Sequence, residues 1–160
     1  MDLKDKSALY LERAKNELNL SNAVFKISTE NKLKLDLGLK EESTFFSNVI
    51  GLAYYTIFYS AKALLTIKGI LTEPPEEHKR TLNEFEKLVL SGEIDMQLLI
   101  IYKTIVVRAE ELLGIFVKEK SKRGRFTYKN LPQTNLEPAK ESLDNAEKFL
   151  KNINLIINKN

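Results

Sequence analysis

The chain has 160 residues, of which 43% are hydrophobic and 29% charged, and its formal net charge is +3. This length and composition are typical of one globular domain, residues 1–160, and exclude a disordered chain. The lack of cysteine excludes a disulfide framework, a thiolate zinc site and a cysteine nucleophile, and it fits a reducing, cytoplasmic location.

The N-terminal residues 1–15 alternate charged and apolar side chains, unlike the uninterrupted apolar run of a signal peptide, so we expect no export. The first predicted helix spans about residues 3–28. Its apolar face carries Leu11, Ala14, Leu18 and Phe25. Residues 30–42 are polar and mixed, which predicts a connection or a weakly helical continuation.

The second predicted helix starts near Ser43 or Thr44, either of which can cap free backbone N–H groups, and it ends at Gly69. Residues 45–61 carry no charge, which would also be typical of a membrane span. Polar side chains and tyrosines within this run, and Lys62 directly after it, favour a buried core helix instead. We therefore expect no association with a membrane.

Pro74 and Pro75 prevent the second helix from continuing, and three more helices are predicted beyond them. They span about residues 76–90, 94–120 and 137–157. Five helices with short connections, and no run of alternating strand residues, predict an all-α, up-and-down bundle of four to five helices.

Residues 118–129, which we call the basic segment, join the last two predicted helices. Six basic side chains against one acid give the segment a net charge of +5, so the rest of the chain carries −2. Its candidate ligand-binding residues are Lys122, Arg123, Arg125 and Tyr128. Guanidinium groups interleaved with aromatic rings suit phosphates and stacked bases. The alternative is a solvated helix end whose lysines offset the helix dipole, which explains the lysines but not residues 123–128.

The single histidine, His78, excludes the paired Glu-x-x-His motifs of a di-iron bundle and a zinc site built from His and Cys. We expect no metal and no cofactor. His78 begins the third helix among charged neighbours, where an exposed position in the first turn is the favoured interpretation. The alternative is a proton carrier or a phosphate contact.

Arg108 lies one residue from the apolar stripe of the fourth helix, and two interpretations are equally open. Its aliphatic stem could cover apolar surface with the guanidinium in water. Alternatively, the guanidinium is held at the mouth of the bundle or at a subunit interface, where it needs an acidic or phosphate partner.

Four tracts resemble the HEPN domain family, especially its small free-standing prokaryotic and archaeal branch. The tracts are residues 53–70, 76–99, 123–128 and 137–153, and the match covers most of residues 8–157. The resemblance implies a helical bundle, a homodimer, and a nucleotidyltransferase partner in a pair of the toxin and antitoxin kind. Many members of the family are metal-independent RNases.

RNases of this family use an Arg followed four to six residues later by a His, and this sequence lacks that motif. His78 has no Arg upstream at that spacing, and none of Arg108, Arg123 or Arg125 has a His downstream. The family's Arg and Tyr are matched by Arg123 and Tyr128, or by Arg108 in place of Arg123. His78 falls where this branch places a His before its third helix.

The sequence therefore predicts a catalytically degenerate HEPN-like protein that binds nucleotide or RNA and a protein partner. One alternative is a divergent metal-independent RNase toxin, in which His78 supplies the proton transfer. The other alternative is a structural helical adaptor.

Overall fold

The computed structural model describes residues 1–113 and 136–159. Their helices are α1 (Leu3–Thr29), α2 (Asn31–Asp36), α3 (Phe46–Ile67), α4 (Glu77–Leu90), α5 (Met96–Leu113) and α6 (Leu136–Lys159). The described ranges contain no strand, and the predicted all-α bundle is confirmed. The short helix α2 lies within residues 30–42, where one of the two predicted alternatives was a weakly helical continuation.

Helix α3 is the centre of the bundle, with α1, α4, α5 and α6 all packed against it. It is long and apolar enough to cross a membrane, but 78% of its apolar window is buried inside the bundle. Tyr54, Ile57 and Leu64 are among its fully buried side chains. The prediction of a buried core helix is confirmed.

Helix α1 lies against α3 through small side chains that repeat every seven residues. This buried face carries Ser7, Ala14, Ser21 and Ser28. Ser7 Oγ donates to the Ala63 carbonyl oxygen at 2.7 Å, and Ser21 Oγ donates to the Val49 carbonyl oxygen at 2.9 Å. The two helices are therefore antiparallel, and they are close enough for side-chain hydroxyls of one to bond the backbone of the other.

The start of α3 corrects a prediction. Neither Ser43 nor Thr44 caps the helix, which begins at Phe46 with no side-chain cap. The Phe45 backbone N–H donates to Ser28 Oγ of α1 at 2.8 Å. The capping prediction is wrong because contact with α1 fixes the backbone here, and a local sequence pattern does not contain that contact.

The other boundaries agree with the sequence to within about two residues, the usual uncertainty of helix ends. Helix α3 ends at Ile67, and Gly69 follows in the left-handed region with φ +82°, as the predicted glycine stop requires. The predicted continuation of the fourth helix to residue 120 lies outside the described residues beyond Leu113.

Three aromatic rings from different helices meet in the core. Phe85 of α4, Tyr102 of α5 and Phe149 of α6 have ring centroids 5.4–5.8 Å apart. Tyr102 is fully buried, and its hydroxyl has no hydrogen-bond partner in the described part of the chain. A buried hydroxyl without a partner costs stability.

We expect Tyr102→Phe to raise the free energy of unfolding by about 1–2 kcal/mol, because the substitution removes a desolvated hydroxyl and keeps the ring contacts. Urea unfolding followed by circular dichroism measures the change. Tyr54→Phe is the matched control, since the equally buried Tyr54 hydroxyl is bonded to His78 and its removal should lower stability. A loss of stability in Tyr102→Phe would contradict this account.

Candidate functional site

The predicted site residues divide into two groups. The structure does not describe the basic segment, which contains Lys122, Arg123, Arg125 and Tyr128. His78 lies in the first turn of α4, and Arg108 lies on α5.

Arg108 is held by an acid, as one of its two interpretations requires. Its Nη2 lies 2.8 Å from Glu141 Oε2, and its Nη1 lies 3.3 Å from Ser142 Oγ, both on α6. The side chain is 26% exposed. Tyr102, nearer the start of α5, contacts Phe149, farther along α6, so the two helices are antiparallel, and Leu113 and Leu136 lie at the same end of the bundle.

His78 occupies the predicted first-turn position, but the interpretation of an exposed side chain is wrong. The residue is half-buried. Its ring centroid lies 4.2 Å from that of Phe58 in a stacked arrangement, and its ring also contacts Tyr54 and Tyr55. The exposure was mispredicted because the start of α4 packs on an aromatic face of α3, although its neighbours in sequence are charged.

The His78 imidazole is bonded to a buried phenol, with Nδ1 2.8 Å from the Tyr54 hydroxyl oxygen. Burial raises the pKa of Tyr54, so this side chain stays a neutral phenol. Burial also lowers the pKa of His78, and the Glu77 charge opposes that effect only in part. This hydrogen bond is compatible with two tautomers: a phenol that donates to Nδ1 leaves the imidazole proton on Nε2, and an Nδ1–H that donates to the phenol oxygen leaves a lone pair on Nε2.

A buried ion pair adjoins this bond. Lys62 is 3% exposed and pairs with Glu77 of α4, and its Nζ lies 4.9 Å from the centroid of the Tyr10 ring. An ammonium group in the interior needs an acid or other strong acceptor, and Glu77 supplies it. We call Tyr54, Phe58, Lys62, Glu77 and His78 the His78 cluster.

Sequence reasoning missed Lys62, Glu77 and Tyr54 as members of this cluster. The available signal was spacing: Tyr54, Phe58 and Lys62 recur every fourth residue and therefore share one side of α3. Lys62 was also the first charge after a long uncharged run. The spacing does not show that Glu77 pairs with Lys62, because that contact joins two different helices.

The cluster offers an imidazole, a phenol and a paired ammonium, which are groups that bind or transfer protons. Among residues 1–113 and 136–159, no group of three or more His, Asp or Glu side chains could hold a metal ion. Arg108 and His78 have different partners in the described chain, on α6 and on α3 respectively.

Compared with protein-family models, with curated proteins and with solved structures, the chain matches none of them. The resemblance to the HEPN family therefore stays a prediction, and the function has to be argued from the residues.

The lowered pKa of His78 predicts a pH dependence of stability. Between the folded-state pKa and the ordinary value of 6.5, the unfolded chain binds more protons than the folded one. The stability that neutral His78 confers is therefore complete above pH 6.5 and is lost as the pH falls below it.

Urea unfolding between about pH 7.5 and pH 5.5 measures this loss, with His78→Gln as the comparison. The pKa values of Glu73 and Glu93 are lowered from 4.5, by hydrogen bonds to Lys6 and Lys68 respectively, so these groups titrate below the window. We expect the wild type to lose more stability across the window than His78→Gln. Parallel pH curves for the two proteins would show that His78 is not desolvated.

Proposed function

We propose that this chain is a HEPN-like helical-bundle protein that binds nucleotide or RNA through the basic segment and lacks efficient catalysis. The observation that carries the proposal is the distribution of charge: residues 118–129 hold +5 while the rest of the chain holds −2. Phosphate binding depends on such clustering more than on net charge.

The contact of Arg108 with Glu141 and Ser142 supports this location. It holds α5 and α6 together near Leu113 and Leu136, the described residues that precede and follow the basic segment in the sequence. It also engages both terminal nitrogens of Arg108 within the bundle. Arg123 is therefore our candidate for the Arg of the family pattern, and Arg108 is assigned a structural role.

A protein partner is part of the proposal, either a second copy of the chain or a nucleotidyltransferase, in a cytoplasmic setting and away from membranes. Its structural support is a stripe on α5 formed by Met96, Ile100 and Val107, which are 48%, 55% and 58% exposed. Their spacings of four and seven residues place them on one side of the helix, and apolar surface of this kind favours a protein contact.

The Arg123→Ala/Arg125→Ala double variant tests the ligand-binding proposal. We expect it to weaken binding of a short RNA by about tenfold or more and to reduce the salt dependence of binding, because two phosphate contacts are lost. Titrations of RNA and of ATP against the protein, at two salt concentrations, measure both effects.

The matched control is Lys148→Ala/Lys151→Ala, which removes the same charge from exposed positions of α6. Its affinity should stay close to that of the wild type. If the arginine double variant bound as tightly as the wild type, the basic segment would not be the site.

A second candidate, a divergent metal-independent RNase, is favoured by the state of His78. In the tautomer whose Nδ1–H donates to the Tyr54 oxygen, Nε2 of the neutral imidazole carries a lone pair and is suited to act as a general base towards a ribose hydroxyl. This candidate needs no residue of the missing motif, and it would use the same RNA-binding surface.

RNA cleavage in the presence of a chelator separates the candidates. If the protein is an RNase, His78→Ala should lower the rate by about a hundredfold or more, because general base catalysis contributes on that order. Tyr54→Phe is the control that keeps the His78 imidazole and removes only the Tyr54 hydroxyl. The cleavage rate of this variant should fall less than that of His78→Ala. Equal cleavage rates for the wild type and His78→Ala would exclude His78 as the general base. If the wild type neither binds nor cleaves RNA, the structural adaptor becomes the favoured alternative.

A further inference from the structure

Three partly exposed tyrosines line the side of α3 between α1 and α4. Tyr59 lies at their centre, stacked on Tyr10 of α1 with centroids 6.3 Å apart and on Tyr55 with centroids 6.1 Å apart. All three rings are half-buried. We call Tyr10, Tyr55 and Tyr59 the tyrosine row. Across residues 1–113 and 136–159, none of their hydroxyls has a hydrogen-bond partner within the protein.

Arg13 extends this stack towards solvent. Its Cζ lies 4.5 Å from the centroid of the Tyr59 ring, and the residue is exposed. The guanidinium makes no ion pair or hydrogen bond with any residue that the structure describes. A guanidinium stacked on a ring by one face keeps its opposite face and its in-plane N–H donors for another group.

Two acids act on Tyr59: Glu77, which is paired with Lys62, and Glu17, which makes no ion pair with any described residue. Burial is the main cause of the raised pKa of Tyr59, with Arg13 opposing it and Glu17 adding to it. The phenol therefore stays neutral at physiological pH, where it can donate and accept hydrogen bonds. The tyrosine row presents aromatic surface and hydroxyls, and Arg13 adds a guanidinium that makes no ion pair with any described residue.

We propose that Arg13 and the tyrosine row form a stacking site for a nucleobase and its phosphate. The base stacks on the outer face of the Arg13 guanidinium, the hydroxyls contact its polar edge, and the N–H donors of Arg13 bind the phosphate. This inference rests on the proposed binding of nucleotide or RNA, and it adds contact residues that do not belong to the basic segment. The ligand chemistry is a nucleoside monophosphate, either free or as one unit of a strand.

The position of the row beside the His78 cluster supports a strand. Tyr55 contacts the His78 ring edge-on, with centroids 6.0 Å apart, while Tyr59 and Tyr10 continue the row along α3 and α1. Ring faces and hydroxyls repeat along this direction, as stacked bases do. A strand bound along the row would therefore pass the imidazole.

Binding of AMP and of a fluorescent oligoadenylate of about ten nucleotides tests the site and separates the two sources of the ligand. Arg13→Ala and Tyr59→Leu should each weaken binding by about tenfold, in the range found when one stacking group is lost. Arg13→Lys keeps the charge without the planar face and should also weaken binding. Because Arg13 is exposed, its variants test the site even if Tyr59→Leu disturbs the fold. Lys15→Ala, which removes a charge from an exposed position on the same helix, is the matched control and should bind as the wild type does.

The Arg123→Ala/Arg125→Ala variant, measured in parallel, separates this inference from the proposed function. Loss of affinity in the Arg13 variants supports the row, whatever the basic segment contributes. Loss confined to the Arg123→Ala/Arg125→Ala variant overturns the row and leaves the proposed function standing. A wild type that binds neither probe overturns both. Variants at Arg13 that change the oligomeric mass on size exclusion, with RNA affinity unchanged, would make the row a protein interface and overturn the inference.

Discussion

Burial of α3 on nearly every side is the constraint on which the rest of the structure depends. A helix packed against α1, α4, α5 and α6 leaves its buried polar groups without access to bulk water, so they bond within the helix or to a neighbouring helix. Ser7 and Ser21 of α1 donate to the Ala63 and Val49 carbonyl oxygens of α3, which gives the buried serine hydroxyls their partners. Glu77 of α4 is the partner of the buried Lys62 ammonium of α3. The contacts that satisfy α3 also determine how the surrounding helices approach it.

The need of Lys62 for an acid explains why a histidine is half-buried. Glu77 and His78 are consecutive, so placing the carboxylate of Glu77 against Lys62 brings the next side chain onto Tyr54 and Phe58, which share that side of α3. The residue before them, Glu76, has φ +60°, which is unfavourable for a residue with a side chain. The contacts of the next two residues with α3 offset that local cost. The position of His78, on which any functional role would depend, is therefore determined by the packing of α4 on α3.

Helix existence was predictable because it depends on apolar periodicity, which the sequence contains in full. The stop at Gly69 and the short loop before α4 were likewise predictable from local backbone preferences. The two wrong predictions, capping by Ser43 or Thr44 and exposure of His78, fail for a shared reason. In each case a contact with a residue of another helix, Ser28 or Phe58, determines the structure in place of the local sequence preference. The arginines of the basic segment remain known from sequence alone.

The described arginines differ in whether their guanidinium groups are bonded within the fold. Arg108 donates to Glu141 and Ser142, and Arg80 donates to the Glu73 carbonyl oxygen, so both are committed to the fold. Arg13 differs from them in the described chain, since it stacks on Tyr59 and donates to no described residue. The other two arginines of the chain belong to the basic segment. Two groups of guanidinium donors from distant parts of the sequence suit a ligand that contacts both, because joining two weak contacts by one strand raises affinity beyond either alone. That relation favours an RNA strand over a mononucleotide as the physiological ligand of the proposed function.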